Sequence, residues 1–264
     1  MLAPFEAVSA VAEDRVLESG RTAAADSYAV RLLRREVVAA GTLAVYLTRP
    51  AGYAYRAGQS ALLTLIDPSE TDAEGDTREF TLASAPYEAE LMIAMRARDT
   101  AFKRVLGAAP AGTVLRLGDA DGDLALHDDG ARPAVFIAGG IGITPFLAMA
   151  RQATHDALPH ALYLFYANRT PEEAAFLPEL RALQRANPRL HLVATVTEPG
   201  KSTQPWPGER GPIGPELLHR HIADLSDPVY YLAGPPAMTL ALLGMLEDLG
   251  VDPDAIQSDE FDGY

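Results

Sequence analysis

Hydrophobic and polar positions change rhythm once along this chain, near residue 130. Before that point, short runs of β-type residues at 28–38, 43–48, 60–66, 78–83, 91–96 and 113–117 are cut by turn signals. The breaks are Arg49-Pro50-Ala51-Gly52, Asp67-Pro68, an acidic loop at 70–76 and the stretch 118–122. Six short strands at this spacing predict a closed antiparallel β-barrel. One helix is expected among them, over 101–106, with Thr100 as its N-cap and Gly107 at its end. A polar, turn-forming linker, 127–133, follows. Beyond it, apolar runs at 135–138, 161–167, 190–196 and 229–233 alternate with helix-period stretches at 145–153, 171–186 and 235–249, and a last short strand is expected around Ile256. That alternation predicts an α/β domain with a parallel sheet covered on both faces, its ligands at the carboxyl ends of the strands. The expected organisation is an N-terminal extension (1–26), a β-barrel domain (27–130) and an α/β domain (131–264). Within the extension, Val11, Val16 and Leu17 give a faint amphipathic stripe that fits either a frayed segment or a short docking helix.

Composition narrows the function. With 264 residues and 48% hydrophobic content the chain can bury one large core or two small ones. A formal charge of -14 argues against nucleic acid or an anionic membrane as a partner, because both need a basic face. The sequence contains no cysteine, which removes disulfides, thiol catalysis and iron–sulfur clusters of the usual type. Its six histidines show no zinc spacing, and His219 and His221 read as members of a solvated face, so no metal site is expected. The first residues lack the basic start and apolar block of a signal peptide, and no apolar run approaches the roughly 20 residues that span a bilayer. A soluble, cytoplasmic protein is the expectation.

Four stretches carry candidate chemistry. The run 133–138 ends in Gly139-Gly140-Ile141-Gly142-Ile143-Thr144-Pro145, the pattern of a buried strand, a tight turn and a helix N-terminus. Glycines let backbone N–H groups approach a bulky anion and the helix end adds partial positive charge, so a pyrophosphate is the obvious guest; an ordinary strand–turn–helix corner is the plainer reading. In Arg78-Glu79-Phe80-Thr81-Leu82, Arg78 and Phe80 share one strand face and Thr81 the other. An Arg beside an aromatic can clamp a phosphate and cover a flat ring, and a hydroxyl can bond a ring nitrogen; spacing alone equally suits a half-buried barrel strand with an exposed Arg. Met95 and Arg96 lead into Thr100-Ala101-Phe102-Lys103, a second capped helix end fit for an anion or simply for solvated charges. The last, Ala233-Gly234-Pro235-Pro236-Ala237-Met238, repeats the strand–turn–helix corner on the same sheet edge as the first.

These stretches, in this order, resemble the ferredoxin–NADP reductase superfamily over about residues 28–264. Arg78-Glu79-Phe80-Thr81 is similar to that family's flavin motif and Tyr55-Arg56-Ala57-Gly58-Gln59 to the turn before it. The 139–145 run resembles its nicotinamide pyrophosphate loop, 166–173 the segment after its second parallel strand, 233–238 its late Cys-Gly-Pro-Pro motif, and Glu260-Phe261-Asp262-Gly263-Tyr264 its aromatic C-terminus. The resemblance implies a flavin-binding barrel, a nicotinamide-binding α/β domain and hydride transfer between them. FAD would be held by Arg78, Phe80, Thr81, Leu82, Met95, Arg96, Thr100, Ala101, Phe102, Phe261 and Tyr264, since two phosphates suit two anion donors better than one. NAD(P)H would be held by Gly139, Gly140, Gly142, Ile143, Thr144, Pro145, Asn168, Arg169, Thr197, Gly234, Pro235, Pro236 and Met238. Thr81, Thr144, Glu260 and Tyr264 would stand nearest the reacting atoms.

Two departures from the family pattern matter. Ala233 stands where many members have a cysteine, and Thr197-Glu198 stands where NADPH-preferring members often carry Ser-Arg. A carboxylate at Glu198 repels a 2′-phosphate and leans the chain slightly towards NADH, a lean that Arg169 and Lys201 oppose. The implied function is an FAD-dependent NAD(P)H oxidoreductase that passes electrons to a separate carrier, such as ferredoxin, flavodoxin or an oxygenase component. Arg31, Arg34, Arg35, Arg96, Arg98 and Arg104 are the expected landing patch for an acidic carrier. A free flavin or ferric reductase, or a non-catalytic flavin-binding subunit of a larger complex, are the alternatives.

Overall fold

The computed structural model describes residues 27–260, with Glu260 described by its backbone only. The N-terminal extension and the aromatic tail, with Phe261 and Tyr264, lie outside the described residues.

The first half forms strands β1 (Ser27–Ala39), β2 (Thr42–Thr48), β3 (Ser60–Leu65), β4 (Thr77–Thr81), β5 (Glu90–Arg96) and β6 (Val114–Asp121), with helix α1 (Ala101–Ala108) between the last two. They make one antiparallel sheet in the order β4-β3-β6-β1-β2-β5. Just past β4, the Ala83 N–H donates to the Met92 carbonyl on β5 at 2.7 Å, which joins the two outer strands and closes the barrel. β5 shows why a barrel strand here is apolar throughout. Leu91, Ile93 and Met95 point into the barrel core, and the alternate residues Met92 and Ala94 point outwards into a second core shared with the other half. β6 runs four residues beyond its expected end, through the stretch read as a break; Gly118 and Asp121 stay in the ladder opposite Ser27 and Ser60.

The second half is the expected alternation: β7 (Ala134–Gly139), α2 (Ile143–His155), β8 (Leu162–Asn168), α3 (Leu177–Ala186), β9 (Leu190–Val196), β10 (Glu209–Arg210), α4 (Pro215–His221), β11 (Val229–Gly234), α5 (Pro236–Asp248) and β12 (Ile256–Glu260). The strands are parallel, in the order β10-β9-β8-β7-β11-β12. Helices cover both faces: Phe136 and Ala138 of β7 pack on the α2 side, Val135 and Ile137 on the α4–α5 side.

Three expectations fail locally. Helix α1 does not end at Gly107 but runs through it to Ala108, with Ala109 as its C-cap. The stretch 171–186 is not one helix but a 3-10 turn at Pro171–Glu173 followed by α3. Pro178 is the cause, because inside a continuous helix its ring would clash with the carbonyl four residues back, so the helix begins at Leu177, after Phe176 turns left-handed at φ 59°. β10 and α4 were not expected; both are shorter than the windows in which periodicity is readable.

The halves meet over Ala44, Ala83, Met92, Ala94 and Leu124 of the barrel and Ile143, Phe146, Leu147, Met149 and Ala150 of α2. A buried cation crosses this contact. Arg151 of α2 donates to the Ala83 carbonyl at 3.0 Å and to Glu88 at 3.2 Å, both on the barrel side, and to both oxygens of Glu179 at 2.7 and 2.9 Å.

Candidate active site

The parallel sheet reverses its winding between β7 and β11, neighbours from which the chain departs in opposite directions. At such a point the carboxyl ends of two strands open a crevice. The glycine run lies at this point. β7 ends at Gly139, residues 140–142 form a 3-10 turn, and α2 starts at Ile143; β11 ends at Gly234, and α5 starts at Pro236. Gly140 sits at φ 52°, a backbone region unfavourable to side chains, and makes the turn that swings the chain into α2. Gly142 serves contact between the corners: a Cβ there would come within 2.3 Å of the Ala233 carbonyl oxygen and 2.8 Å of the Gly234 nitrogen. The same is true of Gly139 against Pro235 and Met238. The two corners therefore touch backbone to backbone, and part of the glycine pattern serves packing.

Around them, Thr144 is buried and donates its hydroxyl to the Ile141 carbonyl at 3.0 Å, which holds the turn. Ile143 and Pro145 are buried beneath it. Asn168, at the end of β8, is 6% exposed, and its Oδ1 is a buried acceptor without a hydrogen-bond partner among the described residues. Thr197 donates to the Asn168 carbonyl through both its N–H, at 2.9 Å, and its hydroxyl, at 3.4 Å. Arg169 pairs with Glu173 at 3.0 Å and Lys201 with Glu198 at 2.7 Å, so both cations beside the crevice have a carboxylate next to them. The Lys201 ammonium holds Glu198 below the usual carboxylate range. Backbone pairing places Glu260 opposite Gly234 on β12.

The barrel approaches this edge through β5, which adjoins the 140–142 turn. Arg96, at the end of β5, donates to Glu173 at 2.9 Å and to Thr42 at 3.0 Å, and so ties the barrel to the segment after β8. Glu173 thus joins two arginines that the sequence placed on different cofactors, Arg96 and Arg169; a lone acidic residue in a Glu-rich turn offered no signal of this.

The second anion-ready corner is occupied by the chain itself. Arg78 and Phe80 do share a face, with the Arg78 guanidinium 5.3 Å and the Phe80 ring 5.7 Å from the ring of Phe102. The Arg78 side chain is turned onto the acidic loop before it, with its Nε 2.9 Å from Glu74, its Nη1 on the carbonyls of Glu74, Gly75 and Thr77 at 2.8–3.1 Å, and its Nη2 on Asp72. Thr100 caps α1 as expected and accepts from the Lys103 N–H at 3.4 Å. Ala101 and Phe102 are buried under that end; Leu82 and Met95 lie in the barrel core, with the Leu82 N–H donated to the Gln59 carbonyl. Thr81 is buried at the end of β4. Asp72 and Glu74 were read only as part of a break. The available signal was their spacing, six and four residues before Arg78.

An antiparallel barrel followed by a parallel sheet with a glycine-lined switch point defines a two-domain nucleotide-binding oxidoreductase fold. Known proteins agree with it. Residues 136–242 match the family described as the oxidoreductase NAD-binding domain. The reductase component of propane 2-monooxygenase from Rhodococcus jostii is 27% identical over 220 residues, 80% of this chain and 57% of that protein. Among solved structures, the flavohem-like FAD/NAD binding domain of nitric oxide dioxygenase from Vibrio cholerae superposes with a TM-score of 0.74 at 20% identity, covering 88% of this chain and 98% of that one. A ferredoxin NADP+ reductase from Neisseria gonorrhoeae gives 0.73 at 21% identity, covering 89% and 99%. The chain therefore shares the two-domain fold of these reductases and carries an oxidoreductase NAD-binding domain in its second half. It spans under three fifths of the length of the curated relative named here.

Proposed function

We propose that this chain is an NAD(P)H-dependent flavoprotein reductase that binds FAD at the barrel corner (27–130), a nicotinamide dinucleotide at the switch point (131–264), and hands electrons to a separate protein carrier. One observation carries the reading: β5 brings the barrel's anion-ready corner and the glycine-lined crevice to the same edge of one molecule. The residues fit both groups. The turn at 140–142 leads straight into the N-terminus of α2, a helix end that suits a pyrophosphate, and the buried Asn168 Oδ1, without a hydrogen-bond partner among the described residues, suits an amide or hydroxyl donor. At the barrel corner, the Asp72 carboxylate on Arg78 demonstrates that an anion is accommodated there.

When bound, the flavin supplies the step from two-electron hydride chemistry to one-electron transfer, and the chain's own residues supply position and exclusion of water. Arg78 and the α1 N-terminus hold the pyrophosphate. Phe80 would pack against the ring system, and Thr81 would offer it a hydroxyl. Gly140–Thr144 hold the nicotinamide pyrophosphate, and Gly234–Pro236 form the opposite wall. No proton transfer from a side chain is needed. Glu198 and Glu173 neutralise Lys201 and Arg169, the cations that would hold a 2′-phosphate, so NADH is the favoured coenzyme.

The carrier is the finer part of the proposal. Of the arginines expected to receive it, Arg34 is paired with Glu36 and Glu90, Arg104 with Glu70 and Asp99, and Arg96 with Glu173. The barrel surface is therefore mixed in sign, which favours a partner held by short-range fit over one steered by charge. The test is the spectrum of purified protein reconstituted with FAD, mixed anaerobically with NADH or with NADPH. Flavin absorption bleached faster by NADH is the expected result; no bleaching by either coenzyme would sink the reductase reading.

A further inference from the structure

The flavin reading of the barrel has a competitor built into the chain. Of the five N–H groups that a guanidinium carries, Arg78 commits Nε to Glu74, Nη1 to three backbone carbonyls and one Nη2 hydrogen to Asp72. A phosphate therefore finds at most one free donor on it. The Asp72 carboxylate also faces the other anion donor of this corner. Its acidity is raised first by the Arg78 hydrogen bond, then by the Glu74 N–H, the Arg78 charge and the Ala101 N–H at the start of α1. The carboxylate that holds Arg78 thus also lies beside the start of α1, the other group that a diphosphate would bridge.

The corner has cationic capacity left over. Lys103, half-buried in the first turn of α1, has its pKa pushed down by burial and by the charges of Arg98 and Arg78, with Glu74 only partly offsetting them. Among the described residues no carboxylate stands within ion-pair distance of its ammonium. Asp72 and Glu74 leave the cluster short of negative charge, as expected where a more highly charged anion belongs.

We propose that Asp72 is an intramolecular stand-in for the cofactor's phosphate, and that the acidic loop must release Arg78 before FAD can be held. Cofactor retention is then set by exchange of one anion for another. Asp72 is the competitor in that exchange: a phosphate-bearing flavin must displace it and binds more weakly by that cost, whereas a flavin without a phosphate leaves it in place. The inference rests on the flavin reading above, and the experiment separates the two.

The measurement is binding of FAD and of riboflavin to cofactor-free full-length protein, followed by flavin fluorescence, for the wild type, Asp72→Asn and Asp72→Ser. Inorganic pyrophosphate is titrated separately by calorimetry. Far-UV dichroism and the urea midpoint verify that each variant is folded, and the two variants guard against one failing. Removing the competing charge is expected to tighten FAD and pyrophosphate about two- to fivefold, the range of an exposed ion pair. Riboflavin, which carries no phosphate, is expected to bind both forms equally. FAD bound more weakly by both variants would make Asp72 a positioner of Arg78 and overturn the proposal; unchanged affinity, or equal tightening of riboflavin, would overturn it too. If no form bound any flavin, the flavin reading would fall, and tighter pyrophosphate binding by the variants would still establish the competition.

Discussion

At Gly142 one missing carbon decides how closely two chain corners approach. A methyl group there meets the backbone of Ala233 and Gly234, atoms that cannot swing aside as a side-chain tip can. Gly142→Ala is expected to lower the unfolding free energy by about 1–3 kcal/mol, the usual cost of overpacking, and to weaken NADH binding through a displaced turn. Gly244 is the control. It lies exposed within α5 with nothing within 4 Å of its Cβ position, so Gly244→Ala should stabilise by up to about 1 kcal/mol. Urea unfolding of both variants checks the pair; equal effects would mean that the corner is slack. At this scale the sequence was legible where backbone geometry leaves only one residue type, as in the glycine run. It said little about partners: the spacing of Asp72 and Glu74 before Arg78 permits a local pairing, but whether it forms depends on which way the loop folds back.

The elements follow the hydrophobic rhythm wherever they are long enough to bury a face, and depart from it where a single residue intervenes. Pro178 shortens α3, and β10 and α4 are held by what they pack against. The linker into β7 shows what a polar stretch gains from its surroundings. His127 donates its N–H to the Tyr231 hydroxyl at 2.9 Å, its Nδ1 lies 2.8 Å from the same oxygen, and its Nε2 lies 3.0 Å from the Arg132 carbonyl. A carbonyl only accepts, so Nε2 carries the proton and Nδ1 accepts from Tyr231. Burial pushes the His127 pKa below its ordinary 6.5, so the unfolded chain takes up that proton first. Its contribution to stability is complete above about pH 6.5 and is lost as pH falls through the folded-state value. Wild-type protein should therefore lose stability relative to His127→Gln as pH falls below 6.5, with a difference in slope of at most one proton, about 1.4 kcal/mol per pH unit. Urea midpoints at several pH values test this; parallel curves would remove His127 from the account.

Over the whole molecule, two units that each bury their own core are fastened at Arg151 and at Arg96–Glu173. Arg151 is 8% exposed and bridges Ala83 and Glu88 on one side to Glu179 on the other. Its partners are a third exposed, which discounts their share. Removing the guanidinium leaves a buried carbonyl and two carboxylates short of a donor, so Arg151→Ala should cost about 2–3 kcal/mol. Arg151→Lys should recover little, because one ammonium cannot serve three directions. The diagnostic readout is cooperativity: if the clamp couples the units, barrel and sheet probes that unfold together in the wild type should separate in Arg151→Ala. Coincident transitions with unchanged midpoints would show that the apolar contact alone holds the halves.

The sequence by itself determined the two-part architecture, the order of the longer strands and helices, and both glycine corners, because period-2 and period-3.6 burial and the steric demands of turns are local properties of the chain. The tertiary structure decided which charges meet. It set Asp72 on Arg78, Glu173 between Arg96 and Arg169, and Arg151 across the two halves, pairings separated by four to seventy-seven positions. Charged side chains are long and their partners interchangeable, so only the final placement of the backbone selects among them.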